Sequence, residues 1–213
     1  MQTQSRRLLD SLLETEALAF PPQTPQNRFD APRIEAAVKE ILAAIGEDPE
    51  REGLQETPAR VARMLKELTT GLGADPVQQL SCRFVEEKAG LVLVKDIAFS
   101  STCEHHMLPF TGVAHVAYLP QNGQITGLSK LARVVETVSK RLQVQERMTA
   151  QIADALEALQ PQGIFVMVEA EHSCMVLRGI KKPGSSTITT DCRGLYKQDS
   201  QARSELLSLL NRA

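Results

Sequence analysis

The sequence contains no apolar run that approaches the roughly 20 residues needed to cross a bilayer. It also contains no glycine-rich dinucleotide-binding motif, no P-loop and no internal repeat. Its formal net charge of -2 excludes a general attraction to nucleic acid or to anionic membranes. Any anionic substrate must therefore be held by a local basic cluster.

The start of the chain does not predict an export signal. Arg6 and Arg7 precede a leucine pair, but acidic residues from Asp10 onward interrupt any apolar segment. We therefore expect a cytoplasmic protein, in which cysteines bind metal or are buried rather than form disulfides. Of the four cysteines, Cys82 and Cys192 have no histidine or cysteine nearby at ligand spacing, so we interpret them as small apolar core residues.

The order of predicted elements indicates an α+β fold. The 213 residues, 42% of them hydrophobic, can form one domain with a substantial core. A proline-rich stretch marks residues 1–30 as a flexible arm or linker, and residues 31–213 are the predicted domain, with N-terminal helices in 31–75 and a core in 90–213. Apolar periodicity predicts strands and then helices in that core. The predicted strands are 91–97, 113–119 and 164–169, and the predicted helices are 129–142, 144–159 and 205–210.

The segment Ser101–Phe110 carries a possible metal site. Cys103 and His106 are three residues apart, so one turn of chain can direct both at a single ion, and Cys174 is the obvious third donor. Two thiolates and one imidazole, with a fourth position open to water, form a known catalytic zinc set. The alternatives are a structural zinc site closed by a fourth protein ligand and no metal at all. The residues alone leave these possibilities open.

Each ligand segment also carries a second histidine, His105 or His172, and histidine suits proton transfer near neutral pH. If residues 171–179 are extended, alternation places His172, Cys174 and Arg178 on one face. His115 lies inside a predicted strand without a ligand partner in sequence, so we interpret it as structural.

A third candidate site opens the helix predicted after Gly127. Ser129 suits the N-cap position, and Lys130 and Arg133 then lie near the positive end of the helix dipole. They are either solvated surface charges or part of a phosphate site built with the exposed N–H groups. Their sequence positions alone do not decide between these two interpretations.

Several segments together resemble the GTP cyclohydrolase I family, from about residue 34 to the C-terminus. They are Glu56–Arg60, Ser101–His106, Gly127–Arg133, Arg141–Met148 and His172–Gly179. The resemblance implies the tunnelling fold, an antiparallel sheet backed by two long helices and preceded by an N-terminal helical segment. It also implies assembly into a toroidal homodecamer with active sites between subunits.

The resemblance further implies an enzyme that converts GTP to formate and 7,8-dihydroneopterin triphosphate, the first step of folate and tetrahydropterin biosynthesis. Cys103, His106 and Cys174 would bind Zn²⁺, and hydroxide would attack guanine C8. His105 or His172 would protonate the imidazole ring of the base. His172 and Ser129 would move protons in the later Amadori rearrangement and ring closure.

For substrate binding, the resemblance implies that Glu146 accepts hydrogen bonds from guanine, with Gln145 beside it. Three basic residues would bind the triphosphate: Lys130, Arg133 and Arg178. Arg60 would come from a neighbouring subunit. The rival interpretations are another tunnelling-fold enzyme acting on a pterin or deazapurine, and a non-catalytic ring protein that binds zinc and a nucleotide.

Overall fold

The computed structural model describes residues 29–210, so nearly all of the predicted N-terminal arm lies outside the described residues. Two helices come first, α1 (Ala31–Ala44) and α2 (Thr57–Leu68), as the apolar spacing predicts. The side chain of Asp30 caps α1 by accepting a hydrogen bond from the backbone N–H of Arg33 at 3.1 Å. No residue of α1 is buried, and in α2 only Ala62 is. This helical pair therefore lies beside the core rather than within it.

A five-stranded sheet forms the centre of the molecule. Its order is β5-β2-β3-β6-β7, and every neighbouring pair is antiparallel except β2 and β5. The strands are β2 (Val92–Cys103), β3 (Pro109–Leu119), β5 (Leu142–Gln143), β6 (Gly163–His172) and β7 (Thr187–Gly194). A separate two-stranded ribbon pairs β1 (Arg83–Val85) with β4 (Gln124–Thr126). The predicted strands are confirmed, but β2 and β6 run further, to Cys103 and His172.

Two helices back one face of the sheet, as expected. They are α3 (Leu128–Ser139) and α4 (Gln145–Glu157), and their apolar sides join the sheet in one buried cluster. The cluster includes Phe99, Phe110, Val116, Tyr118, Leu131, Val134, Val138, Met148, Ile152, Leu156, Val166 and Val168. The predicted N-cap is wrong, because α3 begins at Leu128 with Gly127 as its cap and no side chain caps it. Ser129 therefore lies within the first turn.

The other face of the sheet is covered by the end of the chain. There α6 (Leu195–Gln198) and α7 (Ser200–Leu210) place Tyr196 and Leu206 against Ala117 and Phe165. The predicted final helix is thus the second half of α7. Cys192 packs partly buried against this cluster, as expected.

Two other sequence interpretations have opposite outcomes. Cys82 is exposed, so the prediction that it fills the core is wrong. His115 is buried in β3, and its Nδ1 accepts the backbone N–H of Asp96 at 3.2 Å. Burial lowers the pKa of His115, which favours the neutral ring that this hydrogen bond requires. The structural interpretation of His115 is therefore confirmed.

None of the helices among residues 29–210 is long and apolar enough to cross a membrane.

Candidate metal centre and nucleotide pocket

The three predicted metal ligands form one group. Their donor atoms, one each from Cys103, His106 and Cys174, all lie within 4.8 Å of one another. Cys103 Sγ lies 4.0 Å from His106 Nδ1. Within residues 29–210, no fourth histidine, cysteine or carboxylate belongs to the group, so no protein ligand closes it. Two thiols and one imidazole with an open position fit Zn²⁺ as a catalytic rather than a structural site.

The electrostatics of the group also favour a cation. Burial raises the pKa of the Cys174 thiol, and the neighbouring Cys103 raises it further, whereas Arg178 opposes this shift. Two adjacent thiolates are therefore costly without a positive charge between them. A bound Zn²⁺ would remove that cost, because thiolates are the form that coordinates metal.

A tight turn after β2 presents the first two donors. The backbone N–H of Met107 donates to the Cys103 carbonyl at 2.8 Å, and the N–H of Cys103 donates to the Leu108 carbonyl at 2.8 Å. Met107 closes the turn with a positive φ of 53°. Cys103 is buried at the strand end, whereas His105 and His106 are exposed in the turn. We call residues 103–108 the metal turn.

The third donor reaches the group in a different way from that expected. β6 ends at His172, and Ser173–Val176 form a short helix, α5. The prediction that His172, Cys174 and Arg178 share one face of an extended strand is therefore wrong. Cys174 meets the other donors because α5 turns back over the start of β3, to which the end of β6 is paired.

His172 is fixed from two sides. Its ring stacks on the buried ring of Phe110, with centroids 4.5 Å apart and an interplanar angle of 3°. Its Nε2 lies 2.7 Å from Oε1 of Gln145. Burial lowers the pKa of His172, and the nearby Glu146 partly offsets that shift.

The Gln145 amide determines which ring nitrogen of His172 is free. Gln145 Nε2 donates to the carbonyls of Val168 and Thr187 at 3.0 and 2.9 Å, and it lies 3.2 Å from Thr189 Oγ1. Because these partners accept, the amide oxygen must face His172, which then carries its hydrogen on Nε2. Nδ1 then keeps its lone pair. Gln145 is 2% exposed, so its side chain acts mainly within the protein.

The start of α4 lies beside the metal turn. The backbone N–H of Glu104 donates to the Gln143 carbonyl at 3.0 Å, and β5 pairs with the end of β2 in the register Cys103 to Gln143. Glu146 follows in the first turn of α4, exposed and at the end of the helix that favours a carboxylate. The structure thus places Glu146 close in the fold to the predicted metal ligands.

The predicted phosphate ligands Lys130, Arg133 and Arg178 lie in two parts of the chain, and Arg60 lies in a third. Lys130 and Arg133 are on α3, half-buried and exposed respectively, and Arg178 is exposed just after α5. Within the described part of the chain, no carboxylate pairs with any of the three. Exposed Ser129 precedes Lys130 on α3. Arg60 is exposed on α2, outside the sheet domain that holds the donors.

Sequence reasoning missed three residues at this site. Phe110 supports the His172 ring, and Glu104 forms an ion pair with Arg147. Each lies beside a predicted site residue or inside a segment that resembles the family. This position is the only signal for them in the sequence. Their partners are distant in sequence, so only the fold reveals their roles.

Comparison with known proteins identifies the family. Residues 34–211 match the family model described as GTP cyclohydrolase I. A protein of Streptococcus gordonii named GTP cyclohydrolase 1 is 59% identical over 183 residues, which cover 85% of this chain and 98% of that protein. A protein of the same name from Streptococcus agalactiae serotype Ia is 59% identical over 181 residues, 84% of this chain and 97% of that protein.

A solved structure of an archaeosine synthase QueF-like protein in the apo form is also similar, with a TM-score of 0.40 and 17% identity. The match covers 50% of this chain and 96% of the chain in that structure. The family match spans most of the sequence and includes the predicted metal ligands and the start of α4. The chain therefore belongs to the GTP cyclohydrolase I family.

Proposed function

We propose that this chain is a zinc-dependent GTP cyclohydrolase I. It hydrolyses GTP at guanine C8, releases formate and forms 7,8-dihydroneopterin triphosphate, the entry to folate and tetrahydropterin synthesis. Membership of the family supports the reaction. The observation that carries the mechanism is the three-donor group, which has no fourth protein ligand within residues 29–210, next to the partly buried, oriented ring of His172.

Cys103, His106 and Cys174 would hold the zinc ion. Zinc in such a site supplies an activated water near neutral pH as the nucleophile for C8. The protein's own part is to keep the fourth position open and to hold the purine against it. The short metal turn and α5 fix the donors for that purpose.

His105 and His172, which lie close in sequence to the proposed metal ligands, would transfer the protons. His172 donates Nε2–H to Gln145, so it exchanges protons with the substrate through Nδ1. His105, exposed in the metal turn, is the second candidate for protonating the imidazole ring of guanine. Protonation makes C8 electrophilic and turns a ring nitrogen into a leaving group. His172 and Ser129 would then move protons during ribose opening, the Amadori rearrangement and ring closure.

Glu146 would select guanine. Its carboxylate can accept hydrogen bonds from both N1–H and the exocyclic amine, a pair of donors that adenine does not present. A base that leaves this carboxylate unpaired in the pocket is rejected by the cost of the missing hydrogen bonds. Gln145 supports the same pocket by holding His172, because its amide is already fully used inside the protein.

The triphosphate would be bound by Lys130, Arg133 and Arg178. Their lack of carboxylate partners within residues 29–210 agrees with this role. Lys130 and Arg133 also lie near the start of α3, where cations are unfavourable unless an anion completes the site. Arg60 would reach the phosphates from a neighbouring subunit.

The surface around the site supports assembly into a ring. Four large apolar side chains close in sequence to site residues are strongly exposed, between 58% and 69%: Met107, Leu128, Leu177 and Ile180. A second copy that covers them would remove apolar area from water and complete the pocket. We propose a homodecamer with active sites at subunit interfaces, built from one domain at residues 31–213 that follows the arm at 1–30. A cytoplasmic location would keep the thiol ligands reduced.

The function is tested by incubating purified, zinc-loaded protein with GTP. Formate and, after oxidation, fluorescent neopterin triphosphate are expected products, with about one zinc per chain by mass spectrometry. Light scattering would measure the assembly mass. Zinc-loaded protein that binds GTP but releases no formate would instead support a non-catalytic nucleotide-binding protein.

A further inference from the structure

An ion pair connects the metal turn to the start of α4. Arg147 Nη1 donates to Glu104 Oε2 at 2.6 Å, and Nη2 donates to Oε1 at 2.9 Å. Such a two-bond contact between guanidinium and carboxylate fixes direction as well as distance. Glu104 follows the ligand Cys103 directly, and Arg147 follows Glu146 directly. The pair thus joins the neighbour of a metal ligand to the neighbour of the proposed guanine ligand.

The backbone provides a second connection between the same two segments. The N–H of Glu104 donates to the Gln143 carbonyl, and β5 extends the sheet beside Cys103. The ion pair adds a side-chain contact to this backbone connection, so the metal turn and the start of α4 are joined through both backbone and side chains.

Stability alone gives little reason for this pair. Its side chains are 42% and 31% exposed, and ion pairs at such exposed positions typically contribute little to folding stability. Arg147 also lies in the first turn of α4, where a cation is unfavourable. The pair is distinguished by its position, because it joins the metal turn to the start of α4.

We propose that Glu104 and Arg147 are positioning residues that set the separation between the metal turn and the base bound by Glu146. This inference rests on the proposed function. C8 must meet the nucleophile at a fixed distance and angle, and small misplacements of reacting atoms reduce the rate strongly. Without the pair, guanine still binds to Glu146, but C8 is no longer held in the reactive position. The loss therefore falls on kcat more than on KM.

The test compares Glu104→Gln, Arg147→Gln and the double variant as zinc-loaded full chains. Each single variant is expected to lower kcat about tenfold, with KM for GTP within about twofold of the parent. Zinc content and melting temperature should stay at the parent values. The double variant should lose no more kcat than the worse single variant, because both changes break the same contact. Arg147→Lys, which keeps the charge but not the two-bond contact, should fall between the parent and Arg147→Gln.

Glu47→Gln is the matched control. It breaks another exposed ion pair, Arg51 Nε to Glu47 Oε2 at 2.9 Å, in the segment between α1 and α2, away from the metal turn. Its kcat should equal that of the parent. Values of kcat for Glu104→Gln and Arg147→Gln that also match the parent would overturn the proposal. If the kcat losses of the two single variants multiplied in the double variant, the proposal would be overturned as well. Loss of zinc in Glu104→Gln would also overturn it.

Failure of this inference is distinguishable from failure of the proposed function. Cys174→Ser and Glu146→Ala report on the site itself, whereas the ion-pair variants report on the connection between its halves. Inactive Cys174→Ser and Glu146→Ala with fully active ion-pair variants would refute the positioning role alone. Full activity in Cys174→Ser and Glu146→Ala would refute the assigned site, whatever the ion-pair variants show.

Discussion

Replacing Gln145 with methionine tests whether a buried amide holds the proposed proton-transfer residue. Methionine has nearly the length and volume of glutamine, so Gln145→Met should leave no large cavity. It removes the donor to the Val168 and Thr187 carbonyls and the acceptor for His172. The variant should therefore lose both stability and turnover, while the zinc ligands remain intact.

The size of the effect follows from the hydrogen bonds. The two amide hydrogens and the amide oxygen make three hydrogen bonds, one buried and two partly buried, each contributing about 1 kcal/mol net. The total is about 3 kcal/mol, which for a chain of this size lowers the melting temperature by about 6–12 °C. Because His172 also loses its orientation, kcat should fall about 10- to 100-fold, within the range for misplacing a general acid or base. Circular dichroism at one protein concentration and steady-state neopterin formation measure the two effects.

Gln151→Met is the control, because it replaces another buried amide of α4 with the same residue. Gln151 is 7% exposed, and its Oε1 accepts one hydrogen bond, from Gln143 Nε2 at 2.7 Å. This variant should lose about 1 kcal/mol of stability and keep the parent kcat. If Gln145→Met turns over GTP as fast as Gln151→Met, the amide does not hold His172 for catalysis, and the assignment of Nδ1 as the reactive nitrogen loses its basis.

Three further outcomes follow from the site and the core. Cys174→Ser should lose zinc and turnover together, measured by metal analysis and formate release; full metal and activity would show that another residue is the third ligand. Glu146→Ala should keep zinc but abolish productive GTP binding, and unchanged kinetics would remove its role in guanine selection. Burial lowers the pKa of His115, so its neutral form belongs to the folded state and the unfolded chain binds the extra proton. The free energy of unfolding should therefore fall as the pH drops below about 6.5, and it should fall less in His115→Gln. Denaturant unfolding at pH 7 and pH 5 measures this loss, and an equal loss in the parent and the variant would contradict the reasoning.

The sequence predicts the parts of the site that depend on local spacing. Cys103 and His106 are three residues apart on one turn, and the apolar period of α3 and α4 marks the helices that back the sheet. These predictions rest on residues that are neighbours in sequence and therefore remain neighbours in the fold. Cys174 is predicted as the third donor by its residue type, and the long-range fold of the sheet brings it to the other two donors.

Other features depend on contacts that local spacing does not encode. No glycine or proline lies between Ile164 and Ser173, so the change from strand to helical turn at Ser173 has no turn signal in the sequence. The buried role of Gln145 depends on β6 and β7, more than 20 residues away along the chain. The Glu104–Arg147 contact spans 43 residues. The resemblance places Gln145 beside the guanine, whereas the structure shows its amide bonded to β6, β7 and His172.

The register of β3 links the fold to the chemistry. Phe110 pairs with Ser101 on β2 and with His172 on β6, so one residue aligns both ligand segments. Its ring is fully buried, lies edge-on to Phe99 at 5.9 Å and stacks on His172. A one-residue slip of β3 would turn Phe110 away from the core and leave His172 without its stacking partner. The burial of Phe110 that fixes the register of the sheet therefore also fixes the position of His172 relative to the predicted metal ligand Cys103.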